Sequence, residues 1–356
     1  MAEKEKIRLD NISPRSWEHP ADRAALTALR QLPGLDTIVR SFVGITTEKS
    51  LRLISLASAV RVNDKQFPRV KRLLEDACYT LDWPEKPEVY VSQSPLMNAG
   101  AIGVEKPFIT INSSLVDQFS DEELLAVIAH ELSHIMSGHV LYKTLLWLLL
   151  NLSQIALQVP ITGLALQAII AALREWDRKS ELSADRASLL VLQKENPIYT
   201  LLMKMAGGTK GEMNLEEFFL QASEYEQGGN IIDSVHKLLN ILGKSHPFPV
   251  LRLKELKTWI DDGSYEKILN GEYSKRTEKD DIKQDFDEAM KSYRENMEKS
   301  KDPLAATLTK LGKSFEVAGK MAGKQAADFF QSVFGGLDPK SAKEDPKDNP
   351  QKSDKK

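Results

Sequence analysis

The chain has 356 residues, a formal net charge of -3, and 28% charged against 42% hydrophobic residues. That is the balance of a globular protein with room for one large or two modest domains, and it lacks the basic excess of a nucleic-acid binder. A single cysteine, Cys78, excludes an internal disulfide and fits a reducing compartment.

The opening residues, MAEKEKIRLD, are charged and show no apolar core of a secretory signal, so a cytoplasmic location is expected. Residues 1–45 read as a leader with short helices, punctuated by Ser and Pro in SPRSWEHPADRAALTALR. From Ser50 to Asp82 apolar residues recur at spacings of three and four, which predicts helix. Cys78 lies in register with Leu73, Leu74 and Leu81 there and reads as a core residue. Three β-like stretches follow, around Glu88–Val91, Met97–Val104 and Phe108–Ile111, separated by Pro, Gly and Asn. They suggest a small antiparallel sheet.

Ser120 and Glu123 have the spacing of a capping box and open the apolar run LLAVIAHELSHIM, with Gly138 as its stop. Thr144 to Leu173 contains no charged residue and is interrupted by Pro160 and Gly163. A charged helix resumes at REWDRKSELSADRASLLVL, and further helices are predicted over Leu215–Glu226, Ile231–Leu242 and Val250–Asp261. After Gly271 the chain is mostly charged, then amphipathic over Leu304–Phe334, and residues 338–356 have the composition of a disordered tail. The division is therefore a leader (1–45), a main domain (46–265) containing the uncharged stretch, a charged linker with an amphipathic helix (266–337), and the tail.

His130-Glu131-Leu132-Ser133-His134 carries the chemistry. Histidines four apart on a helix lie one turn above each other, so both imidazoles reach one tetrahedral zinc ion. Glu131 is rotated by about 100° from His130 and is placed to take a proton from metal-activated water. Chance alone yields such a pattern in on the order of one chain per hundred. Burying these three polar residues in an apolar helix is costly without a task. A catalytic zinc needs a third protein ligand. Glu181 supplies it, with Asp185 one turn on to hydrogen-bond the free nitrogen of a ligand histidine. His139, nine residues past His130, falls on the opposite side of a continuous helix and reads as a surface or packing histidine. His19 and His236 read as structural. The alternative for Cys78 is a thiolate capping the metal of a latent form.

These residues resemble the M48 peptidase family of gluzincin-type metallopeptidases. HExxH followed some fifty residues later by ExxxD matches at His130, Glu131, His134, Glu181 and Asp185, and the likeness runs from about Leu51 to Ile260. The family's Asn-Ala-x-x-x-Gly strand is similar to Asn98-Ala99-Gly100-Ala101-Ile102-Gly103. The resemblance implies an edge strand there that pairs with the extended substrate backbone through Asn98, Ala99 and Gly103. The family's late His-Pro and Arg are similar to His246-Pro247 and Arg252, which the resemblance implies stabilise the oxyanion. No pair of long N-terminal membrane spans accompanies the motifs, and the segments outside the likeness match no family element.

The uncharged stretch allows three readings: a kinked span, a re-entrant hairpin, or a buried hairpin. Both ligand helices must meet at one metal, so the chain returns to the side it left. Two halves of about 22 Å fall short of a hydrocarbon core of about 30 Å. An apolar helical hairpin over 144–173, lying in the membrane interface or against protein, is favoured over core packing or self-association. The sequence thus predicts an α+β, mainly helical, zincin-like metalloprotease domain with a small antiparallel sheet and an HExxH helix. It holds one Zn²⁺ per chain and acts on polypeptides, with no nucleic-acid partner. Attachment is expected to be peripheral or monotopic at the inner face of a membrane, or through self-association by 144–173 and 304–334. The competing reading is a membrane-peripheral scaffold or regulator that kept the zinc-binding fold.

Overall fold

The computed structural model describes residues 6–20, 22–23, 26, 48–103, 106–144, 146, 163–207, 211–227 and 248–276. His236, His246, Pro247, the helix expected over Ile231–Leu242 and everything from residue 277 onward lie outside them, as does most of the uncharged stretch.

The leader enters with a 3-10 turn at Pro14–Ser16. Its apolar side chains Leu9, Ile12 and Trp17 are fully buried in the main core. Polar bonds pin the same segment: Gln193 brackets Ile7 through both backbone groups, and Ser13 N–H donates to the Ser274 carbonyl at 2.8 Å.

The helix expected over Ser50–Asp82 is broken in two. Helix α1 spans Glu48–Ser58, strand β1 spans Ala59–Arg61, and α2 spans Pro68–Thr80. The cause is local. The β-branched pair Val60 and Val62 flanks Arg61, Phe67 sits at a φ of 52°, and Pro68 restarts the helix at its first turn. Val70, Leu73, Leu74, Ala77 and Cys78 then form the buried stripe of α2, so Cys78 is a core residue. Burial pushes its thiol up to about 11, which suits an inert side chain.

Strands β2 (Val89–Ser92), β3 (Ala99–Ile102) and β4 (Phe108–Asn112) complete a four-stranded sheet in the order β1-β2-β4-β3. The sheet is mixed, not antiparallel as expected: β2 and β4 are parallel, with antiparallel β1 and β3 on the two edges. The apolar strands β2 and β4 take the interior, where Val89, Phe108, Ile109 and Ile111 are buried. The small residues of β3 take an edge.

After the short α3 (Ser113–Gln118), α4 runs from Asp121 to Met136. Its capping box forms in both directions: Ser120 N–H to Glu123 Oε2 at 2.9 Å, and Glu123 N–H to Ser120 Oγ at 3.2 Å. Gly138, at φ 69°, ends it in the left-handed conformation, and a fresh helical stretch begins at residue 139. Helix α5 spans Gly163–Leu192 without a break, joining the end of the uncharged stretch to the charged segment. Among the described residues no helix is long and apolar enough to cross a membrane. Helices α6 (Glu195–Met205), α7 (Leu215–Gln227), α8 (Pro249–Asp261) and α9 (Ser264–Leu269) close the core. The architecture is α+β.

Candidate metal centre

Helices α4 and α5 cross closely because small residues line their contact. Ala126, Ala129, Ala184 and Ala187 are fully buried, and Ser188 Oγ donates to the Ala126 carbonyl at 2.9 Å. That crossing brings His130 and His134 on α4 against Glu181 on α5. His130 Nε2 lies 3.1 Å from Glu181 Oε2 and 3.3 Å from His134 Nε2, which lies 3.3 Å from Glu181 Oε1. All three side chains are buried. Among the described residues this is the one group of three or more His, Cys, Asp or Glu side chains whose ligand atoms converge enough to hold a metal ion.

Asp185, one turn beyond Glu181, lies with Oδ1 3.2 Å from His130 Nδ1, the nitrogen facing away from the cluster. Arg252 of α8 grips the same carboxylate with Nε at 2.7 Å and an Nη at 2.5 Å. Burial opposes ionisation of Asp185, but Arg252 outweighs it and holds the carboxyl below its ordinary range. Arg252 is buried, and its other Nη stands 3.9 Å from Glu181 Oε2.

Burial also works against a proton on His130, yet Glu181 and Asp185 raise it to about 9. Burial and the nearby Lys143 push His134 well below its usual value. Glu131, next along α4, is buried. Strand β3 packs beside α4 and, among the described residues, pairs only with β4 within the sheet. Gly103 at its end has φ 125°, a conformation open to glycine. Asn98 precedes the strand, and its carbonyl accepts from Asn112 N–H at 3.0 Å.

Sequence reasoning missed three neighbours. Lys143 Nζ lies 2.7 Å from Glu181 Oε1 and 2.7 Å from Asp177 Oδ1. His139 is fully buried, so the surface reading fails. Its Nδ1 stands 3.0 Å from His134 Nδ1, its Nε2 3.2 Å from Asp22 Oδ2, and its ring packs against Trp176. The signal for His139 was Gly138: a helix that stops there cannot be extrapolated to residue 139. Nothing in the local pattern of the leader marked Asp22. His19, read as structural, lies 3.7 Å from Glu255.

The description Peptidase family M48 matches residues 64–260. The chain is 32% identical over 277 residues to the plastoglobule-localized metallopeptidase 48, chloroplastic, of Arabidopsis thaliana, covering 75% of this chain and 78% of that one. It is 30% identical over 158 residues to a protease HtpX homolog of Helicobacter pylori, covering 43% and 46%. With the Bacillus subtilis HtpX homolog it shares 36% over 85 residues, 23% of this chain and 27% of that one. The chain thus spans less than half the length of these two HtpX homologs. No solved structure matches it at comparable significance. A buried His-His-Glu cluster on crossing helices, inside a match covering more than half the sequence, makes this chain a metalloprotease of peptidase family M48.

Proposed function

We propose that the chain is a zinc-dependent endopeptidase working close to a membrane surface, with one Zn²⁺ held by His130, His134 and Glu181. The observation that carries the reading is the ligand triangle, whose sides are 3.1 to 3.3 Å. Four atoms placed tetrahedrally at about 2.0–2.1 Å from zinc stand about 3.3–3.4 Å apart. Two imidazoles and a carboxylate are also the donor set of a catalytic zinc with one open position.

Zinc held there would supply a Lewis acid that acidifies water and polarises a carbonyl. Glu131 is the group placed to take a proton from the attacking water and return it to the leaving amine. Asp185 accepts from His130 Nδ1–H and fixes the Nε2 lone pair on the ligand side. Arg252 commits its Nε and one Nη to that carboxylate, so its role in this reading is to hold Asp185. Stabilising the oxyanion falls to His246. Edge strand β3, with Asn98, Ala99 and Gly103, receives the substrate backbone as an added strand. The uncharged stretch 144–173 supports membrane proximity, as does a relative whose name places it at plastoglobules.

Metal analysis and cleavage of a peptide library test the mechanism in wild type and Glu131→Gln. About one zinc per chain is expected in both, with turnover of the variant reduced by roughly 10²–10⁴. Full activity in Glu131→Gln would overturn the general base. A zinc-loaded wild type that cleaves nothing would favour the scaffold reading.

A further inference from the structure

If His134 presents the Nε2 lone pair to a metal, its proton resides on Nδ1. The atom 3.0 Å away is Nδ1 of His139, which must then accept that proton's hydrogen bond and carry its own proton on Nε2. His139 Nε2 in turn lies 3.2 Å from Asp22 Oδ2, a contact close in distance but too bent to rank as an aligned hydrogen bond. The same oxygen accepts from Ser183 Oγ at 2.5 Å, and Ser183 Oγ accepts from the His19 backbone N–H at 2.8 Å. His139 and Asp22 are both 0% exposed. The Trp176 ring, edge-on to His139 with centroids 5.7 Å apart, restrains the imidazole from turning.

We propose that Asp22 and His139 are positioning residues of the metal centre: Asp22 orients His139, and His139 holds His134 with Nε2 on the ion. The proposal rests on the reading of His130, His134 and Glu181 as the metal ligands. Both ligand histidines then end on a buried carboxylate, His130 in one step through Asp185 and His134 in two through His139. Outer partners of this kind fix the tautomer and raise the basicity of the ligand. Simple packing is the weaker account, because filling this space with a carboxylate and an imidazole costs desolvation that an apolar pair would avoid. Asp22 belongs to the leader, so the N-terminal segment is part of the metal centre.

The test uses the full chain and competition with a chromogenic zinc chelator, with thermal melting of each metal-free variant alongside. Asp22→Asn keeps the shape and the Ser183 contact but removes the charge, and His139→Phe keeps the ring but removes the acceptor. Each should weaken zinc by about tenfold or more. The double variant should be little worse than the stronger single one, since the two act in series. His139→Gln, with an acceptor and a donor in line, should recover most of the affinity. Wild-type zinc affinity in both Asp22→Asn and His139→Phe would overturn the proposal, whatever their melting temperatures. Should His139→Phe not fold, the near-isosteric Asp22→Asn decides alone. Unchanged affinity in His134→Ala and Glu181→Ala is a separate outcome: it removes the metal reading itself and this proposal with it.

Discussion

His139 shows how a single residue's meaning turns on one neighbouring torsion. A helical wheel continued past Gly138 puts His139 opposite His130, whereas the left-handed turn at φ 69° swings it back against His134. The candidate cluster was legible because its logic is local: His130, Glu131 and His134 lie about one turn apart on one helix, and Glu181 and Asp185 lie one turn apart on another. Asp22 was not legible, since its partner is over a hundred residues away and no periodicity links them. The resemblance singled out Arg252 for the oxyanion, whereas its grip on Asp185 is a tertiary contact that no local pattern announces. Breaking that pair leaves a buried carboxylate without its cation, so Arg252→Met should destabilise the protein by about 3–5 kcal/mol in urea unfolding. Asp185→Asn should weaken zinc about 10–100-fold in chelator competition. A variant Arg252→Met as stable as wild type would show that the pair contributes nothing net. His19 sets a pH dependence. Burial lowers it to about 4, against roughly 6.5 in an unfolded chain. Between those values the unfolded state binds the extra proton, so this stability is complete above about pH 6.5 and is lost as pH falls toward 4. Urea unfolding at pH 7.5 and 5 should show the loss, and His19→Phe should make it smaller, the remainder coming from groups such as the buried His134, which is also held well below its usual value. An unaltered slope in that variant would assign the dependence elsewhere.

Elements defined by their own ends were readable, and those defined by a distant partner were not. The capping box named the start of α4 from Ser120 and Glu123 alone, and both of its bonds form. Ser120→Ala should therefore cost about 1 kcal/mol of stability, measured by thermal or urea unfolding. A loss near zero would mean that Lys204, which donates to Glu123 Oε2 at 2.6 Å, holds that end instead. Strand β1 was missed because three residues between two helices carry little pattern of their own. The parallel pairing of β2 with β4 was missed for a different reason. Chain order favours hairpins, but burial sorts the strands, and FITIN outcompetes AGAI for the middle of the sheet.

At the scale of the molecule, the described part of the leader packs into the main core through Leu9, Ile12 and Trp17. A second apolar surface is exposed among the described residues. Leu53, Ile54 and Leu56 of α1, and Val60 of β1, are exposed together at one edge of the fold. If the protein works at a membrane, that edge and the uncharged stretch are two weak anchors of the kind stable attachment needs. Wild type should float with phospholipid vesicles on a density gradient, and Leu53→Glu with Ile54→Glu should reduce flotation without loss of zinc. Flotation of the double variant at the wild-type level would clear this edge of any part in attachment.

Helix α5 is 30 residues long, and Glu181 lies 18 residues from its start at Gly163. At 1.5 Å per residue, that start stands about 27 Å from the ligand, along a rod held at its ligand end by the crossing with α4. The candidate ligand Glu181 and the end of the apolar stretch thus lie on one continuous helix. For a straight helix pivoting at that crossing, a sideways push of about 1 Å at the far end corresponds to a turn of about 2°. A surface that takes hold of that end therefore acts on the same element that carries Glu181.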